Sequence, residues 1–246
     1  LSRAAALVSL ALAALASFVV SGCEQAPQDN RPDTSRAFPK ADRPVSKIVS
    51  TQFSNEAERD NRDEANSVMS LAGVKPGMSV ADIGAGEGYY TVRLAERVGA
   101  GGRVLAQDID SEALRRLGAR VEKDRLDNVS IKLGAQDDPR LPERSFDRVF
   151  LVHMYHEVAE PYAFLWRLWP SLKPGGRVVV VDVDKSTAAH GIPPALLFCE
   201  MEAAGFRLDQ FHRKPELAGY YAQFVLAPVR PEPKKIKSCR LAPAKV

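Results

Sequence analysis

The stretch Val80-Ala81-Asp82-Ile83-Gly84-Ala85-Gly86-Glu87-Gly88-Tyr89 decides how the chain reads. It opens as a short apolar strand, Ser79 to Ile83, passes through three glycines at alternate positions, and continues as a helical segment from Tyr89 to Val98. Strand, glycine loop and helix in that order begin a βαβ unit, and in an open parallel sheet ligands bind where such a loop leaves the carboxyl end of its strand. The spacing narrows the chemistry. A dinucleotide loop needs G-x-G-x-x-G so that backbone can approach a pyrophosphate. Here the pattern is G-x-G-x-G, and Tyr89 stands where the third dinucleotide glycine would be. Asp82, two residues before the first glycine, would repel a phosphate and suit a cationic ligand. A nicotinamide-dependent oxidoreductase is therefore disfavoured.

Outward from this stretch the chain alternates strand and helix patterns. Glu56 to Leu71 is helix-compatible and ends at Gly73 and Pro76-Gly77. Strands are expected at Arg103 to Gln107, Val129 to Leu133 and Phe146 to Val152. Ser111 is positioned to cap a helix reaching about Asp124, with Leu114, Leu117 and Val121 on one face. A further helix is expected near Tyr162 to Leu172. Lys173-Pro174-Gly175-Gly176 reads as a turn before Arg177 to Val183, whose Val178-Val179-Val180-Val181 run suits a central parallel strand. Pro193 to Ala204 reads as a helix stopped by Gly205, and Phe206 to Phe211 with Tyr221 to Ala227 as a closing antiparallel pair. The pattern implies an α/β fold: a doubly wound, Rossmann-like sheet with helices on both faces.

The decisive stretch closely resembles the first motif of class I S-adenosylmethionine-dependent methyltransferases. Val104-Leu105-Ala106-Gln107-Asp108 resembles their second strand with its terminal acid. Leu141-Pro142-Glu143-Arg144-Ser145-Phe146-Asp147-Arg148-Val149 resembles the approach to the fourth strand, and Leu172-Lys173-Pro174-Gly175-Gly176-Arg177 the turn before the fifth. The resemblance covers about residues 56–227 and implies a seven-stranded sheet with its last strand inserted antiparallel. It also implies S-adenosyl-L-methionine as cofactor. Asp82 with Gly84, Ala85, Gly86 and Gly88 would face the methionine end, Asp108 would accept from both ribose hydroxyls, Ile109 would pack on the adenine, and Gln136 or Asp137 would sit beside the adenine amino group. For Asp82 and Asp108 a helix cap or surface acid is the plain alternative.

The fourth strand is followed by His153-Met154-Tyr155-His156-Glu157, where this fold borders the methyl group and its acceptor. Three readings stand: His153 or His156 as a general base, with Tyr155 beside them; the histidines and Glu157 as metal ligands; or simple lining of the acceptor pocket. His190 lies in a loop that could cover the acceptor or be ordinary surface. Arg59-Asp60-Asn61-Arg62-Asp63 could fold over the cofactor or be a solvated helix face. Cys199 reads as a packed thiol.

The chain has 246 residues, of which 45% are hydrophobic and 26% charged, which excludes a disordered chain, a collagen-like fibre and a protein with many membrane spans. Three cysteines make no disulfide framework, and their spacing suggests no zinc site. Residues 228–246 hold six Lys/Arg and one Glu, leaving 28 basic against 30 acidic residues elsewhere. The body is nearly neutral, so no nucleic-acid partner is expected; a small-molecule acceptor is. Residues 1–22 read as a signal peptide, and Val20-Ser21-Gly22-Cys23 resembles a bacterial lipobox, which implies lipidation of Cys23, export and membrane anchorage on the periplasmic side. A misread start would instead leave the protein in the cytoplasm. Residues 23–55 read as a flexible tether, and 228–246 as a disordered basic tail. Because S-adenosylmethionine is made in the cytoplasm, an exported non-catalytic binding module that keeps the fold is the alternative to an exported enzyme.

Overall fold

The structure is a computed structural model, and it describes residues 29–47, 56–217 and 219–240. The elements run α1 (Glu56–Asn61), α2 (Glu64–Leu71), β1 (Ser79–Ile83), α3 (Tyr89–Val98), β2 (Arg103–Asp108), α4 (Ser111–Lys123), β3 (Val129–Leu133), β4 (Phe146–Val152), α5 (Pro161–Leu168), β5 (Leu172–Asp182), α6 (Pro194–Ala203), β6 (Phe206–Lys214) and β7 (Gly219–Leu226). The seven strands order as β3-β2-β1-β4-β5-β7-β6. β1 to β5 are parallel to one another, and β7 is inserted antiparallel to both β5 and β6. The order reverses between β1 and β4, so the carboxyl ends of these strands open the crevice where a doubly wound sheet binds ligands.

Two-residue alternation splits the core between the faces of the sheet. Val80, Phe150, Val179 and Val181 pack with Val68 and Met69 of α2 and Leu94 of α3. Ala81, Leu151, Val178 and Val180 pack with Leu165 of α5 and Leu197 of α6 on the other side. Both faces are covered, which is why β5 reads as an unbroken apolar run rather than an alternating one.

Several local readings shift. The first helix is two, broken where Asp63 takes a left-handed φ of 52°. The cap of α4 is Asp110, whose carboxylate accepts from the Glu112 N–H at 2.8 Å, and Ser111 is the first helical residue. The Lys173-Pro174-Gly175-Gly176 turn belongs to β5, which pairs Leu172 with Phe146 before a register shift restores regular pairing at Arg177 and Arg148.

The two ends differ most. Within the supposed tether, residues 32–47 are docked on the domain. Thr34 Oγ1 and Ser35 Oγ donate to Asp137 at 2.6 and 2.9 Å. Phe38 packs with Tyr162 and with Ile236 of the C-terminal segment, and buried Arg43 pairs with Glu200 at 2.8 Å. The supposed tail, as far as residue 240, is docked too. Trp166 donates to the Pro231 carbonyl at 2.8 Å, and the Arg230 guanidinium lies 3.2 Å from the Trp166 ring centre. Cys239 forms a disulfide with Cys199, so Cys199 is not a free thiol. Both segments are polar and aperiodic, which hid them. Each is held by a few anchors whose partners lie far away in sequence. Cys23 and the rest of the signal segment lie outside the described residues. No helix among the described residues is long and apolar enough to cross a membrane.

Candidate active site

The glycine loop forms one wall of a cavity of about 900 Å³ at the carboxyl ends of β1, β2, β4 and β5. Gly84 has φ +69°, and a Cβ there would come within 2.9 Å of the Met154 side chain, so the backbone itself forms the wall. The Gly86 N–H donates to Asp108 Oδ2 at 2.8 Å, and the Asp110 N–H donates to Oδ1 at 2.9 Å. These bonds fix the carboxylate at the end of β2, and each oxygen retains a lone pair for a further donor. Gly84, Ala85, Gly86, Asp108, Ile109 and Gln136 all line this cavity, and Ile109 is exposed in it. Gly88 instead starts α3, with φ +90° and no room for a Cβ beside Leu117.

Two of the acids expected at the cofactor are placed differently. Asp82 is buried beneath the loop, where Thr91 Oγ1 donates to it at 2.6 Å, and it does not line the cavity. Burial pushes its carboxyl up to about 6, against the pull of the Thr91 bond and Arg59. It supports the loop from below. Asp137 is turned away altogether and takes Thr34, Ser35 and Arg167 as partners. Gln136 is thus the member of that pair that meets the cavity.

The N-terminal helices fold over the site, as one reading of the Arg59–Asp63 stretch foresaw. Arg59 and Arg93 both lie over the Tyr89 ring, 3.8 and 3.9 Å from its centroid, while Tyr89 donates to Asp60 at 3.0 Å. Arg59 also binds Glu64, whose carboxylate takes the Tyr90 hydroxyl at 3.2 Å and lies 3.6 Å from His153 Nε2. Burial alone would raise Glu64, but the bonds from His153 and Arg59 hold it at about 2, so it is an anion throughout the physiological range. Sequence reading missed Glu64. Its signal was the i,i+5 pairing with Arg59 across the break at Asp63, which a single-helix reading hides.

Beyond the loop lies a second half of the cavity, where the histidines meet. His153 follows β4 directly, with a left-handed φ of 53°, and is tied to Glu64, so it belongs to the boundary between the halves. His156 follows in a one-turn 3₁₀ helix, Tyr155–Glu157. Its ring is buried, and Nδ1 lies 2.9 and 3.0 Å from the two oxygens of Asp182, a fully buried carboxylate at the end of β5. That contact turns Nε2 away from Asp182. His190 reaches the same place from the loop after β5, its ring centroid 5.9 Å from that of His156, and both line the cavity with Glu157. Tyr155 does not: it is fully buried and donates to Glu200 at 2.8 Å, which makes it part of the scaffold rather than a reacting group. Arg43 braces this turn from the N-terminal segment, donating to the His156 and Val158 carbonyls at 3.3 and 3.2 Å.

Known proteins resemble parts of this chain. Residues 80–176 match the family described as methyltransferase domain. A SAM-dependent methyltransferase from Aquifex aeolicus superposes with a TM-score of 0.59 at 25% identity, over 70% of this chain and 97% of that one. The ubiquinone/menaquinone biosynthesis C-methyltransferase UbiE of Idiomarina loihiensis is 32% identical over 120 residues, 48% of this chain and 47% of that one. Nocamycin O-methyltransferase of Saccharothrix syringae is 38% identical over 88 residues, 36% of this chain and 31% of that one. The chain thus spans less than half the length of these curated relatives. The methyltransferase domain implies S-adenosylmethionine as cofactor, and the observed cavity fits it: a strand-end carboxylate, a backbone wall and no phosphate-type glycine spacing.

Proposed function

We propose that the protein is an S-adenosylmethionine-dependent methyltransferase acting on a small-molecule acceptor. The observation that carries this reading is that one cavity joins the Asp108–Gly86 corner to the His156–Asp182 pair. The cofactor, when bound, supplies an electrophilic methyl group on a sulfonium. In this chain Asp108 would accept from the ribose hydroxyls, Ile109 and Gln136 would border the adenine, and Arg59 and Glu64 would meet the oppositely charged groups of the amino-acid end. His156, held by Asp182, presents Nε2 to the acceptor half, where His190 and Glu157 complete the wall. Methyl transfer depends chiefly on positioning and on excluding water. Tyr89 clamped by Arg59 and Arg93 closes the cofactor side, and the Arg43-braced turn fixes the acceptor side.

Acceptor contact by His156 separates this reading from a binding module that only retains the fold. With an acceptor found by screening labelled methyl transfer, His156→Ala should reduce turnover while cofactor affinity stays within about twofold. Full turnover in the folded variant would remove His156 from the site.

The reading includes export and lipidation at Cys23. The lipobox-like Val20-Ser21-Gly22-Cys23 supports it, as does the Cys199–Cys239 disulfide, because disulfides persist in oxidising compartments and are rare in the cytosol. Wild-type protein should partition with membranes, and Cys23→Ser should stay unprocessed. A soluble, unprocessed wild type would refute the anchor.

A further inference from the structure

His156, Glu157 and His190 each offer one ligand atom, and these three atoms all lie within 4.8 Å of one another. Among the described residues this is the one group of three His, Cys, Asp or Glu side chains placed so closely. They come from separate places. His156 and Glu157 belong to the 3₁₀ turn after β4, and His190 to the loop after β5, where it holds a left-handed φ of 52°. A non-glycine residue in that region is strained unless its surroundings impose it, and such residues cluster at ligand sites.

A second observation points the same way. Asp182 is fully buried, and both its oxygens face His156 Nδ1. Metal-binding histidines are commonly held in this manner, with the far ring nitrogen on a carboxylate so that the near one keeps its lone pair for the ion. His156 Nε2 lies 4.0 Å from Glu157 Oε1, a separation that side-chain rotation closes to the spacing of ligands around one ion. Lys47 and Lys185 also line the cavity, but both are exposed, so their charges remain in water.

We infer that His156 Nε2, the Glu157 carboxylate and His190 form a site for one zinc-class divalent ion in the acceptor half of the cavity. Two imidazoles and a carboxylate suit zinc, and three protein ligands leave a fourth position open towards the cavity, the arrangement of reactive rather than structural zinc sites. The acceptor class that follows carries an ionisable O–H or S–H: the acceptor's proton passes to solvent, its oxygen or sulfur bonds to the methyl carbon, and the sulfonium C–S bond breaks to leave a neutral thioether. This inference rests on the methyltransferase reading for its role, though not for the metal site itself.

The test titrates Zn²⁺ alone into chelator-treated full-length protein by calorimetry, with Co²⁺ absorption as a second readout. One tight ion per chain is expected. Glu157→Gln and His190→Ala should each weaken it at least about tenfold, and Asp182→Asn roughly 10–100-fold. His212→Ala, on β6 and outside the cavity, should change nothing. His190 sits in a loop, so its variant should fold even if Asp182→Asn does not, and circular dichroism checks both. Zinc binding that survives His190→Ala, or that vanishes in Cys23→Ser instead, would overturn the site. S-adenosylmethionine titrated into the same samples reads the methyltransferase assignment separately: binding of cofactor without zinc sinks only the metal site, and zinc without cofactor sinks only the assignment.

Discussion

The two halves of the cavity are built in different ways. The cofactor half is centred on one continuous run, β1 to the start of α4, with Arg59, Glu64 and Gln136 added from outside it, and its key bonds, Gly86 to Asp108 and Asp110 to Asp108, span 22 and 2 residues. The acceptor half is assembled over long distances. Arg43 reaches Glu200 across 157 residues and the His156 carbonyl across 113, and Asp182 holds His156 across 26. A local motif can specify the first half almost alone. The second is braced by the docked N-terminal segment, so it should be the half that mutations far from the cavity disturb.

The sharpest way to break this contrast is Arg43→Ala. Its guanidinium and the Glu200 carboxylate are both buried, and removing one member of such a pair leaves the other uncompensated, at a cost of about 3–5 kcal/mol. Urea denaturation should show that loss, and replacing both residues by apolar ones should recover much of it. An unchanged midpoint in Arg43→Ala would mean that the N-terminal segment does not hold the acceptor half.

Next comes the disulfide. Cys199 and Cys239 close a loop of 40 residues, and Cys239→Ser should cost about 2–4 kcal/mol. In the same variant cofactor affinity should be nearly unchanged, since neither cysteine lines the cavity. Equal losses in stability and cofactor affinity would show the halves to be coupled.

A smaller effect is pH-dependent. Glu64 has a folded value of about 2 against an ordinary value of 4.5, so its contribution to stability is fully present above about pH 4.5 and is lost as pH falls towards 2. Asp82 has the opposite sign: its folded value of about 6 exceeds the ordinary 3.8, so its contribution is lost as pH rises from about 4 to 6. Glu64→Gln should flatten the acid limb of a stability–pH curve and leave the limb near pH 6 in place. An unaltered acid limb would contradict the Arg59–Glu64–His153 linkage.

This contrast also explains what the sequence disclosed. The alternation of strands and helices, the closing antiparallel pair and the glycine loop follow from apolar runs and glycine spacing, which are local signals, whereas the inserted seventh strand and the role of Asp108 come only from the family resemblance. Asp82 and Asp137 show the limit: a strand-end or post-strand acid is visible, but whether it faces the cavity depends on partners such as Thr91, Thr34 and Arg167. Tyr155 looked reactive beside two histidines, yet one step along the 3₁₀ turn points it into the core at Glu200. The docked ends were illegible because Phe38, Arg43, Arg230 and Cys239 are isolated anchors without periodicity, and their partners lie elsewhere in the chain.

The most direct test of the central claim is calorimetric titration of S-adenosylmethionine and NAD into wild-type protein and Asp108→Ala. The wild type should bind S-adenosylmethionine and not NAD, and the variant should lose about 1.5–3 kcal/mol of binding, the range for hydrogen bonds to a charged group. Binding of NAD, or an unchanged S-adenosylmethionine affinity in a folded Asp108→Ala, would contradict the account.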